Sequence, residues 1–238
     1  MSDSKIINFY DDYSTQQVEL GINERQHAIL NGIKKIALSQ QSSLNILEIG
    51  CGIGTMTELL ATNFQKSKII ALDISPVSIE IAKVKYKENK NISFYVADVC
   101  EFDFKNQIFD IIVLPDVIEH IPIEDHSILF KKLEQILNLN GFIYINIPNP
   151  YYLEWVHENR PELLQVIDQP LFLDKLVPDI YNNKLHIHTL ETYSIWVKDS
   201  DYLKIILKKN NFQDFNINLK TKTSFFQKVK GKIKSLQK

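Results

Sequence analysis

Residues 44–55 read "LNILEIGCGIGT", and the fold turns on them. The apolar run through Ile49 reads as a buried strand with Glu48 near its end, and "TMTELLATNF" (55–64) reads as a helix. Between them Gly50, Gly52 and Gly54 alternate, three of only seven glycines in the chain. Glycine admits positive φ and lets a ligand approach the backbone closely. A plain tight turn needs one glycine, so three in this setting point to a bound ligand. The dinucleotide fingerprint G-x-G-x-x-G puts its third glycine one residue later, where this chain has Thr55.

Outward from this turn, strands and helices alternate. Upstream, 4–20 forms a leading arm with Phe9, Tyr10 and Tyr13, and 22–39 carries Ile22, Ile29, Ile33, Ile36 and Ala37 at helical spacing. Downstream, strands are expected at 68–74, 92–99, 108–114 and 141–149, and helices at 75–89 and 126–137. Ser75 is a candidate N-cap with Pro76 at the first helical position. The pattern predicts a Rossmann-like α/β fold, a doubly wound and mostly parallel sheet with helices on both faces. Asp73 ends the second strand, where a carboxylate can grip a ribose diol. Asp98 ends the third, where it can accept from an adenine amino group; each could instead cap a helix. Residues 150–198 lose the strand rhythm and are rich in Pro, Tyr, Trp and His, which suggests a cap over the sheet's carboxyl edge. A helix is expected at 199–212 and a strand at 214–220. The division is therefore a helical arm (1–40), a main domain with cap insert (41–220) and a basic tail (221–238).

The bulk composition bounds the function. Of 238 residues, 45% are hydrophobic and 24% charged, which suits one large α/β domain or a domain with an insert. No apolar run is long enough to span a membrane, and the polar N-terminus is not a signal peptide. Cys51 and Cys100 make no disulfide framework, so a cytoplasmic setting is expected. From Lys220 to Lys238 there are seven lysines and no acids, which leaves 20 basic against 29 acidic residues in the body. That body does not bind nucleic acid by bulk charge. In the tail, Phe226, Val229, Ile233 and Leu236 form one apolar stripe among lysines. A basic amphipathic helix of this kind suits weak contact with an anionic membrane or a partner; a solvated end or a helix packed on the sheet suits it equally.

"LNILEIGCGIGTMTELL", "IIALDIS", "FYVADV" and "FDIIVLPDVIEHI" occur in order over residues 44–150 and resemble the successive motifs of class I S-adenosylmethionine-dependent methyltransferases. The resemblance implies that Gly50, Gly52 and Gly54 hold the methionine part of the cofactor and that Glu48 orients the loop. It places Asp73 with Ile74 at the ribose, Asp98 with Val99 at the adenine, and Pro115 at the cofactor's edge. It also implies a closing antiparallel hairpin; 214–220 serves as one strand of it, and the following tail makes a poor second one.

"LPDVIEHIP" (114–122) carries the chemistry beyond the cofactor. If Pro115 opens a helical turn, Asp116, Glu119 and His120 share one face. The D-x-x-E-H segment resembles two metal-assisted methyltransferase branches, the ubiquinone-pathway catechol O-methyltransferases and the small-RNA 3′-terminal 2′-O-methyltransferases; in the second a later histidine joins the ligand set, and His188 stands in register for it, with His186 as alternative. Such a set suits Mg, Mn, Fe or Zn, and an ion would lower a hydroxyl pKa. Without an ion, His120 serves as a base or a contact. The expected activity is O-methylation of a hydroxyl on a sugar, glycan or related small metabolite. The alternatives are N-methylation of a metabolite, RNA 2′-O-methylation, and cofactor binding without catalysis.

Overall fold

The computed structural model describes residues 3–37 and 43–210. Two helices lead, α1 (Asp3–Leu20) and α2 (Glu24–Ala37). Then come β1 (Asn45–Ile49), α3 (Thr55–Asn63), β2 (Lys68–Asp73), α4 (Pro76–Lys85), β3 (Ile92–Val96) and β4 (Phe109–Pro115). They are followed by α5 (His126–Ile136), β5 (Leu137–Pro148), α6 (Pro150–Asn159), α7 (Leu173–Asn182), β6 (Leu185–Tyr193) and β7 (Tyr202–Lys209). The strands form one seven-stranded sheet in the order β3-β2-β1-β4-β5-β7-β6. Pairs from β3 to β5 are parallel, and β7 runs antiparallel to β5 and β6. The doubly wound fold expected from the alternation is the one observed.

The apolar strands explain the layering. In β1, β4 and β5 successive side chains point to opposite faces. Ile112, Leu114, Ile143 and Ile145 pack with Leu129, Phe130 and Leu133 of α5 and Leu176 and Ile180 of α7. Ile46, Ile111, Val113 and Tyr144 pack on the other face with Ile29 and Ile33 of α2 and Met56 and Leu60 of α3. Ser75 caps α4 as expected, accepting from the Ser78 N–H at 3.0 Å.

The C-terminal third differs from the sequence reading. The expected helix over 199–212 is strand β7. Leu203, Ile206 and Leu207 mimic helical spacing, yet β7 lies between β5 and β6 and is buried on both faces. A short run apolar on both faces has no period that separates strand from helix. The expected irregular stretch 150–198 holds α6, α7 and all of β6. β6 is an edge strand whose pairing slips between Ile187 and Thr189, leaving His188 as the extra residue. The closing hairpin is therefore β6–β7, upstream of where the sequence placed it. Residues 214–220 and the tail lie outside the described residues.

α2 reaches the sheet through a small residue. A Cβ on Gly32 would stand 2.3 Å from Tyr144 Oη, and Tyr144 is 1% exposed. We expect Gly32→Ala to lower stability by about 1–3 kcal/mol through overpacking, against a helix-propensity gain of about 1 kcal/mol. Urea unfolding checks this; an unchanged or higher midpoint would mean that the ring yields.

Candidate active site

A cavity of about 340 Å3 opens at the carboxyl ends of β1, β2 and β4, the usual place for a ligand on such a sheet. Its floor is the glycine turn. Gly50 (φ +73) is crowded: a Cβ there would meet Val117 Cγ2 at 2.3 Å. Glu48, Gly50, Gly52, Asp73, Ile74, Asp98, Val99 and Pro115 all line the cavity. Gly54 is not among the lining residues. It caps α3 at φ +84, and a Cβ there would meet Tyr86 Cε2 at 2.7 Å, so its smallness serves packing.

The carboxylates around the floor are held in distinct ways. Glu48 is fully buried; its Oε2 accepts from Thr57 Oγ1 at 2.6 Å, and its Oε1 has no hydrogen-bond partner. Burial pushes its pKa up to about 8, against the Thr57 hydrogen bond. Asp73 Oδ2 accepts from the Gly52 N–H at 2.7 Å and Oδ1 from the Ser75 N–H at 2.9 Å. Burial raises its pKa, and these N–H groups oppose the rise. Asp98 is exposed and accepts from the Cys100 N–H at 2.7 Å.

α1 covers this floor. Ile6, Tyr10 and Tyr13 line the cavity. Asp11 Oδ1 accepts from Ser75 Oγ at 2.5 Å and from the Val77 N–H at 3.3 Å, which ties α1 to the start of α4. Burial keeps the Tyr10 phenol protonated, and its ring meets the edge of His120 at 6.2 Å.

The "PDVIEH" segment does not open a helix at Pro115. Pro115 ends β4, Asp116 turns left-handed (φ 56), and a single 3-10 turn follows at Ile118–His120. Asp116 forms an ion pair with Arg25 at 2.7 Å and accepts from Asn146 Nδ2 at 2.8 Å; Tyr193 donates to Asn146 in turn. Glu119 is 1% exposed, and neither carboxylate oxygen has a hydrogen-bond partner. Burial, then the Asp116 charge, raise its pKa well above the ordinary carboxylate value. His120 lines the cavity, with Nδ1 on the Ile167 carbonyl and 3.2 Å from Asp168 Oδ1. His126 is fully buried; its Nε2 reaches the carbonyls of Ile118 and Ile121 at 3.1 and 3.0 Å.

The expected metal set is not assembled. His186 and His188 sit on β6, three strands from β4, and their neighbours in the pairing register lie nearer Ile143 than Asn146. Three strand spacings alone are roughly 14 Å. The His188 ring faces Phe142. Among the described residues no group of three or more His, Cys, Asp or Glu is placed to hold an ion. Asp116, the carboxylate that follows β4, is engaged by Arg25 instead.

Sequence reasoning missed Arg25, Asp168 and Gln165. Arg25 had a readable signal in "INERQ": Asn23 Oδ1 accepts from the Arg25 N–H at 3.0 Å, and Gln26 Oε1 accepts from the Asn23 N–H at 3.0 Å. That reciprocal cap starts α2 at Glu24 and puts Arg25 on the cavity wall. Asp168 and Gln165 lie between elements, where no period marks them.

With this geometry in place, known proteins give the family. The family described as "Methyltransferase domain" matches residues 46–141. The "Malonyl-[acyl-carrier protein] O-methyltransferase" of Bacillus anthracis is 33% identical over 206 residues, 85% of this chain and 72% of that protein. The chain belongs to the class I S-adenosylmethionine-dependent methyltransferases. A protein of the same name, numbered 1, from Ilyobacter polytropus is 32% identical over 61% of this chain, and the chain spans only half its length. The "Trans-aconitate 2-methyltransferase" of an Enterobacter species is 32% identical over 53% of this chain and 47% of its own length. Magnesium protoporphyrin IX methyltransferase from Synechocystis, solved with bound S-adenosylhomocysteine, shares the fold at TM-score 0.67 and 14% identity, covering 87% of this chain and 99% of that one. The chain is an S-adenosylmethionine-dependent methyltransferase.

These relatives overturn the sugar or glycan acceptor. They are named for malonyl-[acyl-carrier protein] and trans-aconitate. Nor do the aromatics of the 150–198 stretch offer a sugar platform at the cavity: Tyr151 is 73% and Trp155 49% exposed, and neither lines it. The more specific likeness to metal-assisted O-methyltransferases finds no support in these relatives.

Glu48 gives a test of the electrostatics. Its pKa is raised from the ordinary 4.5 to about 8, so its contribution to stability is full below about 4.5 and is lost as the pH rises to about 8. The stability of Glu48→Gln relative to the parent should therefore climb by roughly 1–3 kcal/mol between pH 5 and pH 8. Urea midpoints at both values measure it. A constant difference would place the ionised form in the folded state.

Proposed function

We propose that the chain is an O-methyltransferase whose acceptor oxygen belongs to the carboxylate of a small acid or acyl acid. One observation carries this reading: Asp116, the carboxylate that enters the cavity after β4, is paired with the guanidinium of cavity-lining Arg25. Asp168 and Glu119 stand behind the lining: Asp168 faces His120 and accepts from the Gln165 N–H at 2.6 Å, and burial raises the Glu119 pKa, which disfavours a charge there. The Arg25 guanidinium and the Tyr10 hydroxyl, both donors, belong to residues that line the cavity. Such a wall admits an anion. A carboxylate is also ionised at neutral pH and needs no general base. The names of the malonyl and trans-aconitate relatives support the same class of acceptor.

The cofactor fits the floor by an independent observation. Glu48 Oε1 is a buried acceptor without a partner, and Glu48 lines the cavity beside a turn that no Cβ could enter at Gly50. In this reading the methionine end lies on Gly50 and Gly52 with its ammonium toward Glu48. Asp73 takes the ribose hydroxyls, with Ile74 beside it, and Asp98 and Val99 take the adenine. When bound, S-adenosylmethionine supplies an electrophilic methyl on a sulfonium. The chain's part is to hold the acceptor oxygen in line, to exclude water under α1, and to shield the developing loss of charge from solvent. Arg25 has a second candidate partner here, the cofactor's own carboxylate.

A different reading has one observation in its favour. His120, anchored through Nδ1, could act as a base for a hydroxyl or amine acceptor. An acceptor panel separates the two. Full-length protein with labelled S-adenosylmethionine should methylate malonyl thioesters, trans-aconitate or other polycarboxylic acids. Turnover confined to amines or neutral hydroxyls would overturn the acid reading. For the cofactor, Asp73→Ala should weaken S-adenosylhomocysteine binding by about 1–3 kcal/mol, because a charged acceptor is lost. Calorimetry measures it, and unchanged affinity would remove Asp73 from the ribose.

A further inference from the structure

Residues 165–169, "QVIDQ", cross the acceptor side of the cavity between α6 and α7. They sit on the 118–121 turn through polar contacts rather than apolar packing alone. The Gln169 N–H and Nε2 both donate to the Glu119 carbonyl at 3.1 Å, and Nε2 also reaches the Ile121 carbonyl at 2.7 Å. The Ile167 carbonyl and Asp168 Oδ1 both face His120 Nδ1. The strap is fixed from its outer side too, since His157 Nε2 meets the Asp168 carbonyl at 2.7 Å.

We propose that Asp168 is a positioning residue that sets the tautomer and orientation of His120 toward the methyl acceptor. Its side chain is 9% exposed and that of His120 is 11% exposed, so the contact is shielded from water. Both oxygens facing Nδ1 are acceptors: a carbonyl has no proton to give, and a carboxylate has none when ionised. Nδ1 therefore carries the proton, and Nε2 is the nitrogen left over. Nε2 is 3.9 Å from Glu119 Oε1, too far for a hydrogen bond, and remains available to a ligand. Asp168 is itself held by the Gln165 N–H on its other oxygen, so the carboxylate cannot swing away freely. The same strap offers a further group: Gln165 lines the cavity, and its buried Oε1 has no hydrogen-bond partner. The strap thus acts on the acceptor, while the cofactor residues lie on β1, β2 and β3 beyond it.

The inference rests on the acceptor lying on the His120 side of the cavity, not on its being an acid. Three full-length variants test it: Asp168→Asn, Asp168→Glu and Asp168→Ala. Nitrogen-15 spectra of the imidazoles read the tautomer directly. The parent should show a protonated Nδ1 at His120. In Asp168→Asn the amide can donate to Nδ1, so the Nε2-protonated form should gain population, and Asp168→Glu should restore the parent pattern. S-adenosylhomocysteine affinity by calorimetry should be unchanged in all three. With trans-aconitate and a malonyl thioester as acceptors, KM should rise about tenfold in Asp168→Ala, the cost of one charged hydrogen bond. An unchanged His120 spectrum in Asp168→Asn overturns the proposal, as does a loss of cofactor affinity parallel to any loss of turnover. If neither acid is methylated, the acid-acceptor reading fails, while the nitrogen spectra and cofactor affinity still decide the role of Asp168.

Discussion

The ion pair between Arg25 and Asp116 joins more of this molecule than any core contact. Arg25 comes from the first turn of α2, and Asp116 from the residue after β4. Asn146 of β5 donates to the other Asp116 oxygen, and Tyr193 of β6 donates to Asn146. Tyr202 of β7 lies close enough to Arg25 to support its charge. A half-buried guanidinium and a buried carboxylate both require partners, and removing either leaves a charge in a low dielectric. The requirement fixes how α2 lies against four separate strand ends. It also fixes the cavity, because both charged groups line it.

The sequence displayed its fold where period and punctuation agree. Gly50 to Gly54, the Ser75–Pro76 helix start and the apolar strands β1, β2, β4 and β5 were all readable, since each is a local device. The C-terminal hairpin was not. Leu203, Ile206 and Leu207 carry a helical spacing, and only the burial of β7 between two neighbours makes them a strand. The site was legible in the same uneven way. Glu48, Asp73, Asp98 and Pro115 reach the cavity because strand ends always point there. Gly54 broke the pattern, being needed for the Tyr86 ring rather than for a ligand. Asp168 was invisible, because nothing local links it to His120, 48 positions away in the chain.

The false metal set is instructive in physical terms. Asp116, Glu119 and His120 have the right types and a spacing that a helix would converge. The chain instead spends a left-handed residue at Asp116, and this turns its carboxylate toward α2. His188 has the right spacing to Glu191 but falls on a bulge at the sheet edge. A motif defines ligands only when the backbone between them has the conformation that the motif assumes. The sugar reading failed on the relatives, and the exposed Tyr151 and Trp155 give it no support at the cavity.

The link between Asp11 and the start of α4 bears on traffic rather than on binding. α1 roofs the cavity, and its described grip on the body includes one carboxylate that shares the two roles of Ser75, as hydroxyl donor and as helix cap. Because α1 lines the cavity and Asp11 bonds the hydroxyl that starts α4, any displacement of α1 would cost the Ser75 hydroxyl its acceptor while leaving the Ser78 cap bond in place. The traffic of ligands and the integrity of a helix start are in that way tied to one side chain, far from any bond that changes in the reaction.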